Sequence, residues 1–204
     1  MKIRVLFAFT VILLVTNSSF AQKHEVAFTS GVLKIGERGF DLPSPGFLKF
    51  GNGFTYEISY AGRLIDAKLV SLYFEVPLAG TPSTKVKTTN ALSPDSYSTI
   101  FFTPGLKVKF FPVGKYQPFA LMGVGLSHFR EGDTTVAGQP NVNRHGETDT
   151  VFDFGFGLDV RVISRLSLRG QVRDFYTDLP PLNVHALSNR QHNAVISGGI
   201  VLRF

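Results

Sequence analysis

Between residues 149 and 162 the chain places Phe152, Phe154, Phe156, Leu158, Val160 and Val162 at every second position, with Asp153, Gly155, Gly157, Asp159 and Arg161 between them. Successive side chains of a strand point to opposite faces, so this segment predicts a β-strand with one bulky apolar face and one charged or bare face. A face of that kind needs either a dry protein core or lipid against it. Which of the two covers it decides what the rest of the chain can be.

The pattern recurs along the sequence. Apolar residues alternate at Val26, Phe28 and Val32 within residues 24–33, and at Phe54, Tyr56, Ile58, Tyr60 and Leu64 within 54–64. They alternate again at Val70, Leu72, Phe74, Val76 and Leu78 within 68–78, and at Ile100, Phe102, Leu106, Val108 and Phe110 within 97–111. Residues 118–130 set Met122, Val124 and Leu126 against Gly123 and Gly125, although Phe119 and Leu121 fall on the glycine side. Leu166, Leu168 and Val172 then oppose Arg169, Gln171 and Arg173, and the last run, 191–204, puts Ala194, Ile196, Ile200, Leu202 and Phe204 on one face. Eight strands follow. Their connections alternate in length: 34–53, 80–96, 131–148 and 177–190 are long and rich in Gly, Pro or polar residues, whereas those between them are tight turns. An even strand count with this alternation describes an antiparallel meander, with all long loops at one end and both termini at the other.

Eight such strands close either as a soluble lipocalin-like barrel, apolar inside, or as a membrane barrel, apolar outside. The soluble arrangement would turn Asp153, Asp159, Arg161, Arg169 and Arg173 to water, and periodicity alone does not separate the two. Three features favour lipid. The long loops share one end; the polar set is heavy in Gly, Ser and Thr as well as charges; and the last run finishes on an aromatic residue with apolar partners at alternate positions. The expected fold class is therefore all-β, an eight-stranded antiparallel up-and-down transmembrane β-barrel.

Residues 1–21 read as a cleaved signal peptide: Lys2 and Arg4 precede an apolar run over 5–15, and Ser19-Phe20-Ala21 supplies a small-x-small cleavage site. That run is shorter than the roughly 20 residues a membrane helix needs. Removing the leader leaves residues 22–204 as the barrel and lowers the net charge from +6 to +4, because only Lys2 and Arg4 leave with it. A mild basic excess without a Lys/Arg cluster predicts no nucleic-acid partner. With no Cys, neither a disulfide nor a lipid-modified N-terminal cysteine can form.

The leader, the eight-strand hairpin pattern and the terminal Gly198-Gly199-Ile200-Val201-Leu202-Arg203-Phe204 resemble small bacterial outer-membrane β-barrel proteins of the OmpA/OmpX/OmpW-like group, over essentially the whole mature chain. The resemblance implies export to the outer membrane of a Gram-negative bacterium, in contact with outer-membrane lipid and lipopolysaccharide. It also implies recognition of Ile200, Leu202 and Phe204 by the outer-membrane assembly machinery. Since the chain lacks Trp, any aromatic girdle must come from Tyr56, Tyr60, Phe54, Phe110 and other Phe residues. The chain is taken as a monomer.

An eight-strand barrel is just wide enough inside for side chains to fill it. Glu57, Arg63, Glu75, Lys107, Lys109, Asp153, Asp159, Arg161, Arg169, Gln171 and Arg173 are expected there as a polar network leaving little room for water. Such charges must be paired or hydrated. A three-residue turn centred on Ser164 would set Asp159 against Arg169 and Arg161 against Ser167, whereas centring it on Arg165 would oppose Arg161 to Arg169.

Catalytic signals are weak. His128, His145, His185 and His192 sit towards the long loops, but Ser127 and His128, being adjacent, point to opposite faces and cannot share a site without a bulge. Glu131, Asp133, Glu147 and Asp149 show no metal-loop spacing. No metal, cofactor or enzymatic activity is expected. Three functions stay open: a non-enzymatic surface protein presenting its loops or stabilising the envelope, a narrow pore or hydrophobic-solute conduit, and a lipid-modifying enzyme.

Overall fold

The computed structural model describes residues 23–36, 38–41, 45–142, 144–178 and 190–204, so the expected leader lies outside it. The strands are β1 (His24–Ile35), β2 (Arg38–Asp41), β3 (Pro45–Phe50), β4 (Gly53–Asp66), β5 (Val70–Thr88), β6 (Ser96–Phe102), β7 (Gly105–Phe110), β8 (Tyr116–Glu131), β9 (Gly146–Ile163), β10 (Leu166–Asp178) and β11 (Arg190–Arg203). β1 pairs with β4 on one side and with β11 on the other, so the antiparallel sheet closes on itself. β6 and β7 are two halves of one wall, each lying between β5 and β8. The closed ring thus has eight walls, as the eight alternating runs predict.

The ladder fixes the stagger of the ring. Following paired residues from Phe28 through Ile58, Leu78 and Phe102 reaches Leu126. The opposite route, through Ile200, Leu168 and Val160, reaches Tyr116, ten residues away on β8. Eight strands about 4.8 Å apart with that offset tilt by roughly 42°. The ten residues from Tyr116 to Leu126 then climb about 25 Å, the height of the apolar band on a membrane barrel.

Exposure resolves the choice between core and lipid. Phe156 is 65% exposed and Phe154 49%, whereas Arg173 is 1% exposed and Arg169 3%. On β8 the glycine-side residues Phe119 and Leu121 turn inwards, while Met122, Val124 and Leu126 face out.

Three departures from the sequence reading have local causes. The expected single strand over 97–111 is interrupted at Thr103-Pro104, because proline has no N–H to give the ladder. Its carbonyl still accepts from Val124 N at 3.2 Å. The stretches read as loops at 34–53 and 80–96 contain structure: β5 runs on to Thr88, and the β2–β3 hairpin adds to it through Leu48, Lys49 and Phe50 opposite Thr88, Lys87 and Val86. At the β9–β10 hairpin, Leu166 pairs with Ile163 but Ser167 pairs with Arg161, so Val162 is bulged. A two-residue turn plus a bulge therefore does what a three-residue turn was expected to do, and Asp159 stands opposite Arg169.

Candidate functional site

The lumen is filled in layers. Nearest the short turns, Glu25 on β1 accepts from Lys107 at 3.2 Å, Lys109 at 2.5 Å and Arg203 at 3.0 Å. Asp159 on β9 takes a bidentate contact from Arg169, at 2.8 and 3.0 Å, and one from a second cation, Lys109, at 2.9 Å. Arg203 also donates to Gln117 Oε1 at 2.6 Å. Glu75 joins the layer through Lys107 and Arg169, both at 3.5 Å. The Arg169 guanidinium lies 4.6 Å from the centroid of the Phe119 ring. That ring fits only because position 157 is glycine, where an added Cβ would strike it.

A second layer sits above. Arg173 on β10 bonds Glu57 at 2.8 Å and is paired with Asp153, which also accepts from Thr103 at 2.9 Å. Gln171 donates to Glu57 at 3.1 Å and approaches Thr29 at 3.4 Å. Across both layers five carboxylates (Glu25, Glu57, Glu75, Asp153, Asp159) face five cations (Lys107, Lys109, Arg169, Arg173, Arg203) among the described residues. The network is electrically balanced, as buried charge must be.

Towards the loops the lumen turns apolar. Phe101 and Phe175 stack with centroids 4.4 Å apart, Phe129 meets Phe101 edge-on at 6.3 Å, and Tyr97, Phe50, Leu33, Val151 and Val195 pack round them. This plug was not legible from the pattern. Around Phe101 and Val151 both faces are apolar, so alternation carries no sign there.

Two residues expected in the network lie outside it. Arg63 pairs with Asp66 at 3.0 Å at the turn end, where β4 slips in register past β5. Arg161 donates to the carbonyls of Pro112 and Val113 at 2.6 and 3.0 Å, capping the neighbouring turn beside the bulge. Conversely, Glu25, Gln117 and Arg203 are members that went unselected. Glu25 and Arg203 do fall on the inward alternation of the first and last strands, but a lone charge near a terminus does not announce its partners.

At the loop-side rim, His128 Nδ1 lies 2.8 Å from Thr148 Oγ1, on the outer surface. A hydroxyl beside an imidazole is the minimum of a nucleophilic pair, but no carboxylate orients His128 among the described residues. Ser127 points inwards and donates to the Asp149 carbonyl at 3.3 Å. His192 is 2.6 Å from Asp174, and His185 lies outside the described residues. Glu131 is buried, accepting from Asn141 Nδ2 and from the His145 amide at 3.1 Å each. The described residues contain no cluster able to hold a metal ion.

No protein-family model matches the chain, and no curated protein matches it. Solved structures do. Neisserial surface protein A superposes with a TM-score of 0.57 at 17% identity, covering 89% of this chain and 97% of its own. The outer membrane protein OprG of Pseudomonas aeruginosa gives 0.53 at 12% identity, covering 90% and 97%. Identities this low speak for architecture alone, and with the closed ring, the lipid-sized apolar band and the filled lumen they agree on one statement: this chain has the fold of the small eight-stranded outer-membrane β-barrels.

Proposed function

We propose that the chain is a non-enzymatic integral protein of the bacterial outer membrane, a sealed barrel that presents its long loops for surface contact or envelope stability. The observation that carries this is the lumen, occluded twice, first by balanced ion layers and then by an aromatic plug. Support for ordered loop-side structure comes from cross-links between two of these loop segments. Pro94 bridges Thr135, Asp95 N donates to the Thr134 carbonyl at 3.0 Å, the Thr134 hydroxyl returns to Asp95 at 2.7 Å, and Val136 N donates to Ser93 O at 2.9 Å. These tie the segment before β6 to the segment after β8.

Contact with outer-membrane lipid and lipopolysaccharide belongs to this proposal. So does delivery by an assembly machinery reading Ile200, Leu202 and Phe204. Planar-bilayer recording of refolded protein, its closure verified by a heat-sensitive gel shift, is the test. A silent bilayer is expected; steady conductance from gel-shifted protein would favour the narrow pore instead. An unchanged mass spectrum of lipid A after incubation with the protein is likewise expected, and a shortened acyl set would favour the enzyme.

A further inference from the structure

On β8 the outward series changes character within one step. Met122, Val124 and Leu126 are exposed apolar side chains, and the next outward positions are His128 and Arg130. One outward step is two residues, about 7 Å, so a basic surface begins where the apolar belt stops. Opposite Arg130 stands Gly146, which has no side chain, and opposite His128 stands Thr148. The space left is a cavity of about 430 Å³ lined by His128, Arg130, Arg144, His145 and Gly146.

Its charge is net basic. Asp133 pairs with Arg144, and Arg130 makes no ion pair among the described residues. Glu131 is turned into the barrel, where it fixes the His145 backbone, and Glu147, opposite Phe129, falls on the inward alternation of β9 and is exposed at its rim. The basic character continues two walls round the ring, where Lys85 and Lys87 are exposed on the outer face of β5.

We infer that this cavity seats a phosphate of an outer-leaflet glycolipid, lipid A, with acyl chains lying on Val124 and Leu126 below and the phosphate against Arg130 and Arg144. An anionic amphiphile fits an aliphatic wall with Arg130 and Arg144 directly above it. Charge-assisted contacts from arginine to phosphate are the strong kind, and the low-dielectric boundary at the belt edge strengthens them. The inference rests on the outer-membrane reading above, and a barrel that fails the gel shift would defeat that reading before this one is tested.

The experiment is native mass spectrometry of the refolded protein in detergent, titrated with bisphosphorylated lipid A, with a dephosphorylated form carrying the same acyl chains, and with phosphatidylglycerol. Parent protein is expected to retain the bisphosphorylated form about tenfold or more above the other two. Arg130→Gln/Arg144→Gln, still gel-shifting, should abolish that preference. Lys68→Gln/Lys115→Gln, at the opposite rim, should leave it intact. Equal retention of the three lipids by the parent, undiminished preference in the arginine variant, or equal loss in the lysine variant would each overturn the assignment.

Discussion

Glu25→Gln is the sharpest probe of how the lumen is held, because it keeps the side chain's shape while removing the charge that most cations share. Lys107 would keep Glu75 at 3.5 Å, Lys109 would keep Asp159 at 2.9 Å, and Arg203 would keep Gln117 at 2.6 Å. Stripping one partner from a buried ion pair costs about 3–5 kcal/mol, and these second partners put the loss at the lower end, about 3 kcal/mol. That is a roughly 150-fold fall in the folded-to-unfolded ratio. The assay is a urea titration of protein folded into phosphatidylcholine vesicles, read by the gel shift of unboiled samples. Glu25→Gln/Lys109→Met, which restores four charges against four, should recover most of the loss. A single variant within about 1 kcal/mol of the parent, or a double variant whose losses merely add, would refute charge balance as the organising rule.

The same titration checks three further expectations. Phe156→Arg, midway down the apolar face of β9, should lose about 2–4 kcal/mol, and an unshifted midpoint would deny that this face meets lipid. Gly157→Ala puts a Cβ against the Phe119 ring and within 2.6 Å of the Gly170 carbonyl. It should cost at least about 1–3 kcal/mol by overpacking, and a stable, fully folded variant would mean the ring packs elsewhere. Phe175→Ala, which breaks the stack with Phe101, should lose about 3–5 kcal/mol yet stay electrically silent in a bilayer, since the ion layers beneath remain; a current would place the only seal at the plug.

Much of the fold could be read from alternation because one face meets lipid and the other meets charge. Phe152 to Val162 announces its orientation unaided, and Asp159 opposite Arg169 follows from pairing rules once the hairpin is placed. Reading failed where that contrast vanishes. The Phe101–Phe129–Phe175 plug lies where both faces are apolar, and the β2–β3 hairpin hides in Gly- and Pro-rich sequence that normally signals loops. Arg63 and Arg161 kept the right alternation but sit beside register slips at the turn end, where Arg63 pairs with Asp66 and Arg161 caps carbonyls instead of entering a crowded lumen. The rim cavity needed coordinates, because Arg130, Arg144 and Gly146 come from two strands and the segment between them.

The contacts of Glu25 span nearly the whole polypeptide: Lys107 is 82 residues away and Arg203 is 178. The β9–β10 hairpin balances Asp159 and Asp153 against Arg169 and Arg173, but Glu25 finds its cations only on distant strands, so an unfinished barrel carries unmatched ions that membrane hydrocarbon rejects. Zipping up is consequently checked by the last strand to arrive, and a chain cut before residue 190 should stay urea-extractable from vesicles however many earlier hairpins it contains.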